Sequence, residues 1–392
     1  MHIRLQRLAR VWLFALVSLG NGCGGTVEET QPLDSAAVLQ RGPNAVGVTT
    51  VEFVDTSRPT MPNGSYEGAP TRTLVTEIWY PATPDADVDD ETRDAAFLPG
   101  GQRYPLIVYS HGFMGTRAGE TYIVQQLASY GYIVASADYP LTNFNAPERP
   151  NGADVVNQPA DVKFLIDQLL ALDSAPSGLL ARHIDHDRIG LAGLSLGGLT
   201  TYLAAFHPTL RDPRVRAVAA IAGPGCFFTP AFFGDRRVPL MIVHGDIDAI
   251  VPYQQSAPAV FAGANAPKYL ATITGGSHTG FAGVASILFG GLHNPDSVGC
   301  AQLGRPSTGG NNEELLRQLG GAEAGLVRGD CPPACAPGPQ PKAIEPARQH
   351  ELALLTLVPF FEAYLRDSRR HRQFLEDALA GENPELSVEY QL

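Results

Sequence analysis

The most constraining stretch of this chain is Gly193-Leu194-Ser195-Leu196-Gly197-Gly198, because a β-branched, apolar run ends just before it and a helical pattern to Phe206 begins inside it. A chain that passes from strand to helix over one residue strains that residue's backbone. Glycines two positions to either side let the neighbouring chain approach closely, while the serine hydroxyl projects from the turn. The helix start behind it offers free amide N–H groups and the positive end of a dipole. The reading is a nucleophile on a sharp turn at the C-terminal end of a sheet strand, with Ser195 as the nucleophile.

The rest of the chain supplies the sheet. Short β-branched runs alternate with helical patterns from about residue 45, which predicts an α/β fold with a mostly parallel central sheet and helices on both faces. Val46 to Asp55 and Thr73 to Tyr80 read as an opening antiparallel pair. Strands follow at 106–110, 132–138, 188–194, 215–222 and 238–244, and 268–274 reads as the last. Helices are expected at 117–130, 154–172, 196–206, 349–365 and 370–380. Glycine and proline become frequent between 283 and 345, and that segment reads as an insertion with one short helix near Glu313 to Leu319.

A serine hydroxyl is a weak nucleophile near neutral pH and needs a base, which in turn needs an orienting group. In this layout both come later in the chain. Val243-His244-Gly245-Asp246-Ile247-Asp248 lies at a strand's C-terminal end, and Asp248 is the expected acid. Asp246 is the poorer choice and reads as a turn former that bonds nearby amides. His278, in Gly275-Gly276-Ser277-His278, is the expected base. His293 and His350 are rivals in position only. Ser110-His111-Gly112-Phe113-Met114-Gly115 follows another strand and supplies the second amide of an oxyanion site, so the N–H groups of Phe113 and Leu196 form the expected pair. Phe113 and Met114 would also wall the acyl pocket.

Other features take plainer readings. His183-Ile184-Asp185-His186-Asp187 suits a polar turn before a buried strand better than a metal site, and no metal is expected. Phe227, Phe228, Phe232 and Phe233 read as packing near the site. Asp154 and Asp161 read as residues of a helix's first turns. Nothing resembling a nucleotide-binding glycine loop follows a strand, and no cofactor is called for.

The N-terminus carries a separate message. Arg4, Arg7 and Arg10 precede the apolar run Val11 to Leu19, and Gly20-Asn21-Gly22-Cys23 follows it, the layout of an export signal. It resembles a bacterial lipoprotein signal. That resemblance implies a signal over 1–22, lipidation of Cys23 and a solvated tether over 23–44 before the domain at 45–392, with plain secretion or periplasmic release as the alternative. Cleavage there takes the formal charge from −12 to about −15, an acid excess that disfavours nucleic-acid partners. No apolar run reaches the roughly 20 residues of a membrane span, so any membrane contact is expected through the lipid alone. In an oxidising compartment Cys226, Cys300, Cys331 and Cys335 suggest disulfides. One pairing closes Cys331 on Cys335 and leaves Cys226 to Cys300; four cysteines allow two others.

With serine, acid, base and oxyanion loop in this order, residues 45 to 282 resemble the α/β-hydrolase superfamily. More narrowly they are similar to the group that holds predicted dienelactone hydrolases, bacterial homologues of platelet-activating-factor acetylhydrolase and bacterial polyester hydrolases or cutinases. Arg72-Thr73-Leu74 with Ile78-Trp79-Tyr80-Pro81-Ala82 resembles that group's opening strand. The resemblance puts nucleophile, acid and base on Ser195, Asp248 and His278. Dienelactone hydrolases proper use a cysteine nucleophile where this chain has Ser195. Where the polyester hydrolases carry a tryptophan, this chain reads Ala222-Gly223-Pro224-Gly225-Cys226. The expected function is a monomeric, exported serine carboxylic-ester hydrolase of the bacterial envelope, acting on a short-acyl, lipid-like or polyester substrate. The alternatives are a peptidase on the same fold and a catalytically inactive binding lipoprotein.

Overall fold

The computed structural model describes residues 32–84, 91–304, 312–329 and 331–392. The signal expected at 1–22, Cys23 and the first part of the tether lie outside the described residues. Leu33 to Leu392 form one compact unit. Ten strands are described: β1 (Ala45–Asp55), β2 (Arg72–Ala82), β3 (Thr92–Arg93), β4 (Tyr104–Ser110), β5 (Ile133–Ala137), β6 (Ile184–Leu194), β7 (Val215–Ile221), β8 (Leu240–Gly245), β9 (Lys268–Ile273) and β10 (Leu386–Gln391). They join in one sheet in the order β10-β9-β8-β7-β6-β4-β5-β2-β1-β3. The six strands from β9 to β5 run parallel, and β2 continues the sheet antiparallel to β5, with β1 antiparallel to β2.

The parallel strands read as continuous apolar runs because both of their faces are covered. Along β4, Leu106 and Val108 point into one layer and Ile107 and Tyr109 into the other. The first layer is closed by Val162, Leu165 and Leu169 of the helix Gln158–Ser174 and by Leu199, Tyr202 and Leu203 of the helix Leu196–Phe206. The second is closed by Ile123 and Leu127 of the helix Thr121–Ser129 and by Leu352, Leu355 and Phe361 of the helix Pro346–Leu365. The chain leaves β4 toward β5 on one side and leaves β6 toward β7 on the other. The strand order therefore reverses between β4 and β6, which opens a crevice at their C-terminal ends.

Arg72, at the start of β2, is fully buried and donates to both Asp154 and Asp161. These two aspartates are thus more than first-turn residues of a helix. They pin the opening hairpin to the helix layer.

Three expectations need correction. The strand at 268–274 is not the last: β10 pairs antiparallel with β9, Leu386 opposite Ile273 through Gln391 opposite Lys268. It is a short edge strand with most of its side chains exposed, so it lacks the apolar run that marks the covered strands. Next, the tether does not reach residue 44. Asp34 caps a helix at Ser35–Leu39, Val38 is buried in the second layer, and Asn44 bonds the Ser129 carbonyl. Finally, the disulfides join Cys226 to Cys331 and Cys300 to Cys335, neither of them the Cys331–Cys335 closure. Backbone bonds accompany this pairing: Val327 N–H donates to the Phe227 carbonyl, next to Cys226, and Cys335 N–H donates to the Ala249 carbonyl.

The insertion holds the short helices Ala285–Leu288, Asp296–Leu303 and Asn312–Gln318. Leu316, Leu319 and Leu326 join the first core layer.

Candidate active site

Ser195 stands between the end of β6 and the helix Leu196–Phe206, with φ 57° and ψ −116°. A side-chain-bearing residue with positive φ is strained, and the surroundings over-determine it. Its N–H donates to the Ile221 carbonyl at 2.8 Å and its carbonyl accepts from Leu199 N–H at 3.0 Å. A Cβ on Gly197 would collide with the Ser110 carbonyl, and one on Gly193 with the Gly197 carbonyl, so the turn closes only with glycine at both places.

Asp248 follows β8 and His278 follows β9, so neighbouring strands deliver both to the same end of the sheet as Ser195. His278 Nε2 lies 2.9 Å from Ser195 Oγ, and His278 Nδ1 lies 2.7 Å from Asp248 Oδ2. A nitrogen facing a carboxylate carries the proton, so Nδ1 donates to Asp248 and Nε2 accepts from the serine hydroxyl. Asp248 Oδ1 accepts from the N–H groups of Ile250 at 2.9 Å and Val251 at 2.7 Å. Burial disfavours the Asp248 charge, but His278 and His244, by charge and by hydrogen bond, outweigh it and hold the carboxyl well below its usual range. Burial likewise opposes the charged form of His278, yet Asp248 beside it raises the imidazole above its ordinary value.

The loop after β4, expected to supply the second oxyanion amide, has a support that the sequence left unassigned. His111 is fully buried. Its Nε2 accepts from Tyr139 N–H at 3.2 Å, so the proton sits on Nδ1, which donates to the Gly112 carbonyl at 2.7 Å. Gly115 N–H donates to the same carbonyl at 2.9 Å. In a trans peptide the C=O and the following N–H point in opposite directions. Fixing the Gly112 carbonyl therefore fixes the direction of the Phe113 N–H. Burial holds His111 below its ordinary pKa, which keeps it neutral for this role. A Cβ on Gly112 would lie 3.4 Å from Ser195 Cβ, so the loop runs against the serine. The N–H groups of Phe113 and Leu196 have no acceptor among the described residues. Met114 N–H donates to the Thr142 carbonyl, and the Phe113 ring packs against Gly152.

His244 also went unassigned from sequence. Its Nε2 is 2.8 Å from the Val251 carbonyl and 3.2 Å from Asp248 Oδ2, so it donates into the acid's loop from behind. Asp246 accepts from Gly275 N–H at 2.7 Å, so it ties its loop to the one after β9, 29 residues on, and does not bond the nearby amides of a turn as expected. His350 stacks on Tyr122 and His293 bonds the Gln340 carbonyl, so neither joins the site. His186 pairs with Asp173 and His183 stacks on Phe97; among the described residues no group of three or more His, Cys, Asp or Glu could hold a metal. Phe232 and Phe233 are buried in a ring cluster with Phe228, as packing residues would be.

A ferulic acid esterase from Streptomyces cinnamoneus superposes with a TM-score of 0.58 at 20% identity, over 88% of this chain and 96% of its own. This is the α/β-hydrolase fold. Within it, residues 98–288 match the PETase family, described as PET hydrolase-like. That span holds Ser195, Asp248 and His278 and ends at Leu288, so most of the insertion and the helix Pro346–Leu365 lie beyond it. Cutinase 2 of Thermobifida cellulosilytica is 29% identical over 154 residues, 38% of this hydrolase-fold chain and 50% of its own length. Tuliposide A-converting enzyme b1 of Tulipa gesneriana is 26% identical over 189 residues, 45% of this chain and 46% of its own. The chain thus spans about half the length of the curated relatives it matches.

Proposed function

We propose that this protein is a carboxylic-ester hydrolase with Ser195 as nucleophile, His278 as base and Asp248 as the group that orients the base. The observation that carries the reading is the unbroken relay from Ser195 Oγ through the imidazole to Asp248, at 2.9 and 2.7 Å. Ser195 Oγ attacks the ester carbonyl as its proton passes to His278 Nε2. The N–H groups of Phe113 and Leu196 donate to the oxyanion of the tetrahedral intermediate. On collapse His278 gives the proton to the departing alkoxide, which leaves as the alcohol. Water, deprotonated by the same nitrogen, then cleaves the acyl-enzyme.

The substrate class is a short-acyl, lipid-like or polyester ester, with Phe113 and Met114 beside the acyl group; similarity to cutinases and to the PET hydrolase-like family supports it. The insertion acts as a fixed rim, supported by its two disulfides and by the leucines it places in the core. An exported protein, lipidated at Cys23, accords with both disulfides and with the layout of the N-terminus.

A fluorophosphonate probe tests the reading. Ser195→Ala is expected to take no label and to lose roughly three to six powers of ten in ester turnover; full labelling of that variant overturns the assignment. A series of p-nitrophenyl acyl esters run beside peptide anilides separates an esterase from a peptidase. Because His278 must be neutral to accept the proton, kcat/KM should fall as pH drops through its pKa, which lies above the ordinary 6.5.

A further inference from the structure

We propose that Asp296, from the insertion, is a positioning residue that ties the loop bearing Asp248 to the loop bearing His278, with the Cys300–Cys335 disulfide closing the structure around it. The inference rests on the reading of Ser195, His278 and Asp248 given above.

Asp296 is fully buried. Its Oδ2 accepts from the N–H of Ala249 at 2.9 Å and from the N–H of His278 at 3.1 Å, and its Oδ1 accepts from the N–H of Thr279 at 2.6 Å. One carboxylate thus takes three amides from two loops, and those amides belong to the residue after the acid, to the base itself and to the residue after the base. An aspartate that merely capped its own helix would face the amides of Val298 or Gly299. Here the helix Asp296–Leu303 turns its first side chain outward onto the two loops instead.

The insertion grips the acid's loop on a second side. The N–H of Ala249 donates to Asp296, while the Ala249 carbonyl accepts from Cys335 N–H at 2.6 Å. Cys335 is bonded to Cys300, which lies on the same helix as Asp296. The disulfide therefore closes a ring whose two ends hold the two polar groups of Ala249, next to Asp248. Gly299 lets this helix settle against the base's loop: a Cβ there would collide with Thr279 Oγ1 and press on Ile250. Asn294 completes the support by accepting from Asp296 N–H at 2.8 Å and donating to the Pro341 carbonyl at 2.9 Å.

The chemistry requires an acid at this place. Three donors converge on two oxygens, and an asparagine would turn an NH2 group toward at least one N–H. The charge matters as well. The titratable groups around His278 are Asp248 on the β8 loop and Asp296 on the insertion, with His244 behind Asp248 and His350 across the loop at the Ala282 carbonyl. Asp296 adds a second negative charge close to His278, which favours the imidazolium that forms in each chemical step.

The test is steady-state kinetics of Asp296→Asn against p-nitrophenyl butyrate, with kcat referred to the sites that take fluorophosphonate at end point, so that unfolded molecules drop out. A kcat loss of roughly 10- to 100-fold is expected, with KM changed less than about threefold. The acid limb of kcat/KM should move to lower pH by roughly half a pH unit or more as the charge is removed. Normal kcat per labelled site and an unmoved limb overturn the proposal, because a part with only structural duty would lower the number of labelled sites and neither of these. The double variant Cys300→Ser with Cys335→Ser carries a second arm should Asp296→Asn not fold: kcat per labelled site should fall several-fold, and a wild-type value overturns the ring. Ser195→Ala, run in parallel, separates the two readings. If it retains turnover, the nucleophile assignment fails; if it is dead while Asp296→Asn is normal, only the positioning role fails.

Discussion

The sheet from β1 to β9 and the insertion between residues 283 and 345 are held together by different means. In the sheet each strand is fixed by ladders to its neighbours and by apolar layers on two faces, with Leu106 and Val108 on one side and Ile107 and Tyr109 on the other. The insertion contributes few residues to those layers. Among the described residues it is secured at points, by two disulfides, by Leu316, Leu319 and Leu326 in the core, by the buried carboxylate of Asp296 and by backbone bonds such as Val327 N–H to the Phe227 carbonyl. The comparison teaches that a region poor in core can still be tied firmly to the sheet's loops, here to those that carry Asp248 and His278.

The largest disturbance to this contrast is expected on the sheet side. Arg72→Ala takes the buried guanidinium from two buried carboxylates, leaving Asp154 with no cation among the described residues and Asp161 with only the part-exposed Arg58, at 2.7 Å. Removing one partner of such a cluster costs about 3–5 kcal/mol. Denaturant unfolding should show that loss, while turnover per folded molecule stays near wild type because the cluster touches nothing in the site. A comparable loss of turnover per labelled molecule would show that the hairpin also shapes the crevice.

On the insertion side, Cys226→Ser with Cys331→Ser opens a loop of 105 residues. The entropy of closing such a loop gives about 4–5 kcal/mol as an upper figure. The expected pattern differs in kind from that of Arg72→Ala: limited proteolysis should cut first between Leu326 and Cys335, before any cut inside β4 to β9. Simultaneous loss of both regions would mean that the insertion is an integral part of the cooperative unit.

These two cases also explain what could be read from the sequence. The covered strands and the helix Leu196–Phe206 were legible because burial on both faces writes itself as apolar runs and because glycine spacing around Ser195 admits one geometry. That Asp248 and His278 meet Ser195 at one end of the sheet was legible from their places after strands. The helix Tyr253–Gly263 was not, since Pro258 lies inside it and only Ser256, Ala257 and Val260 of its residues are buried, which leaves no apolar stripe. Nor were the disulfide partners, Asp296 and His111. Each of these is defined by a backbone amide or carbonyl far away in the chain, and backbone groups leave no mark on residue type. His111 did stand in view between Ser110 and Gly112, but its function depends on the Tyr139 amide 28 residues on.

A smaller effect tests the support of the loop proposed to hold the oxyanion. His111→Phe keeps a buried ring of similar bulk but offers nothing to the Gly112 carbonyl or the Tyr139 amide. The Gly115 N–H still holds the carbonyl, so the loop is loosened and not released. Turnover is expected to fall roughly 10- to 30-fold with little change in KM, against the 10²–10³ typical when an oxyanion donor is removed outright. A loss confined to KM would place His111 in substrate binding instead.

The smallest effect concerns the segment read from its composition as a tether. Asp34 accepts from Ala37 N–H at 2.7 Å and caps the helix Ser35–Leu39, whose Val38 is buried and whose Ser35 is bonded to Glu382 and Asn383 near β10. Losing such a cap costs about 1 kcal/mol when the helix is part of the folded unit, and nothing when it is solvated. For a chain of this size that is a shift of about 1 °C in the melting temperature. Asp34→Ala should show it, and Asp34→Asn, which keeps the accepting oxygen, should not. The sign of that difference decides where the domain begins. If both variants melt with wild type, residues 33–44 contribute nothing to the cooperative unit; if only Asp34→Ala falls, the N-terminal helix and the edge strand β10 are stabilised together, one at each end of the chain.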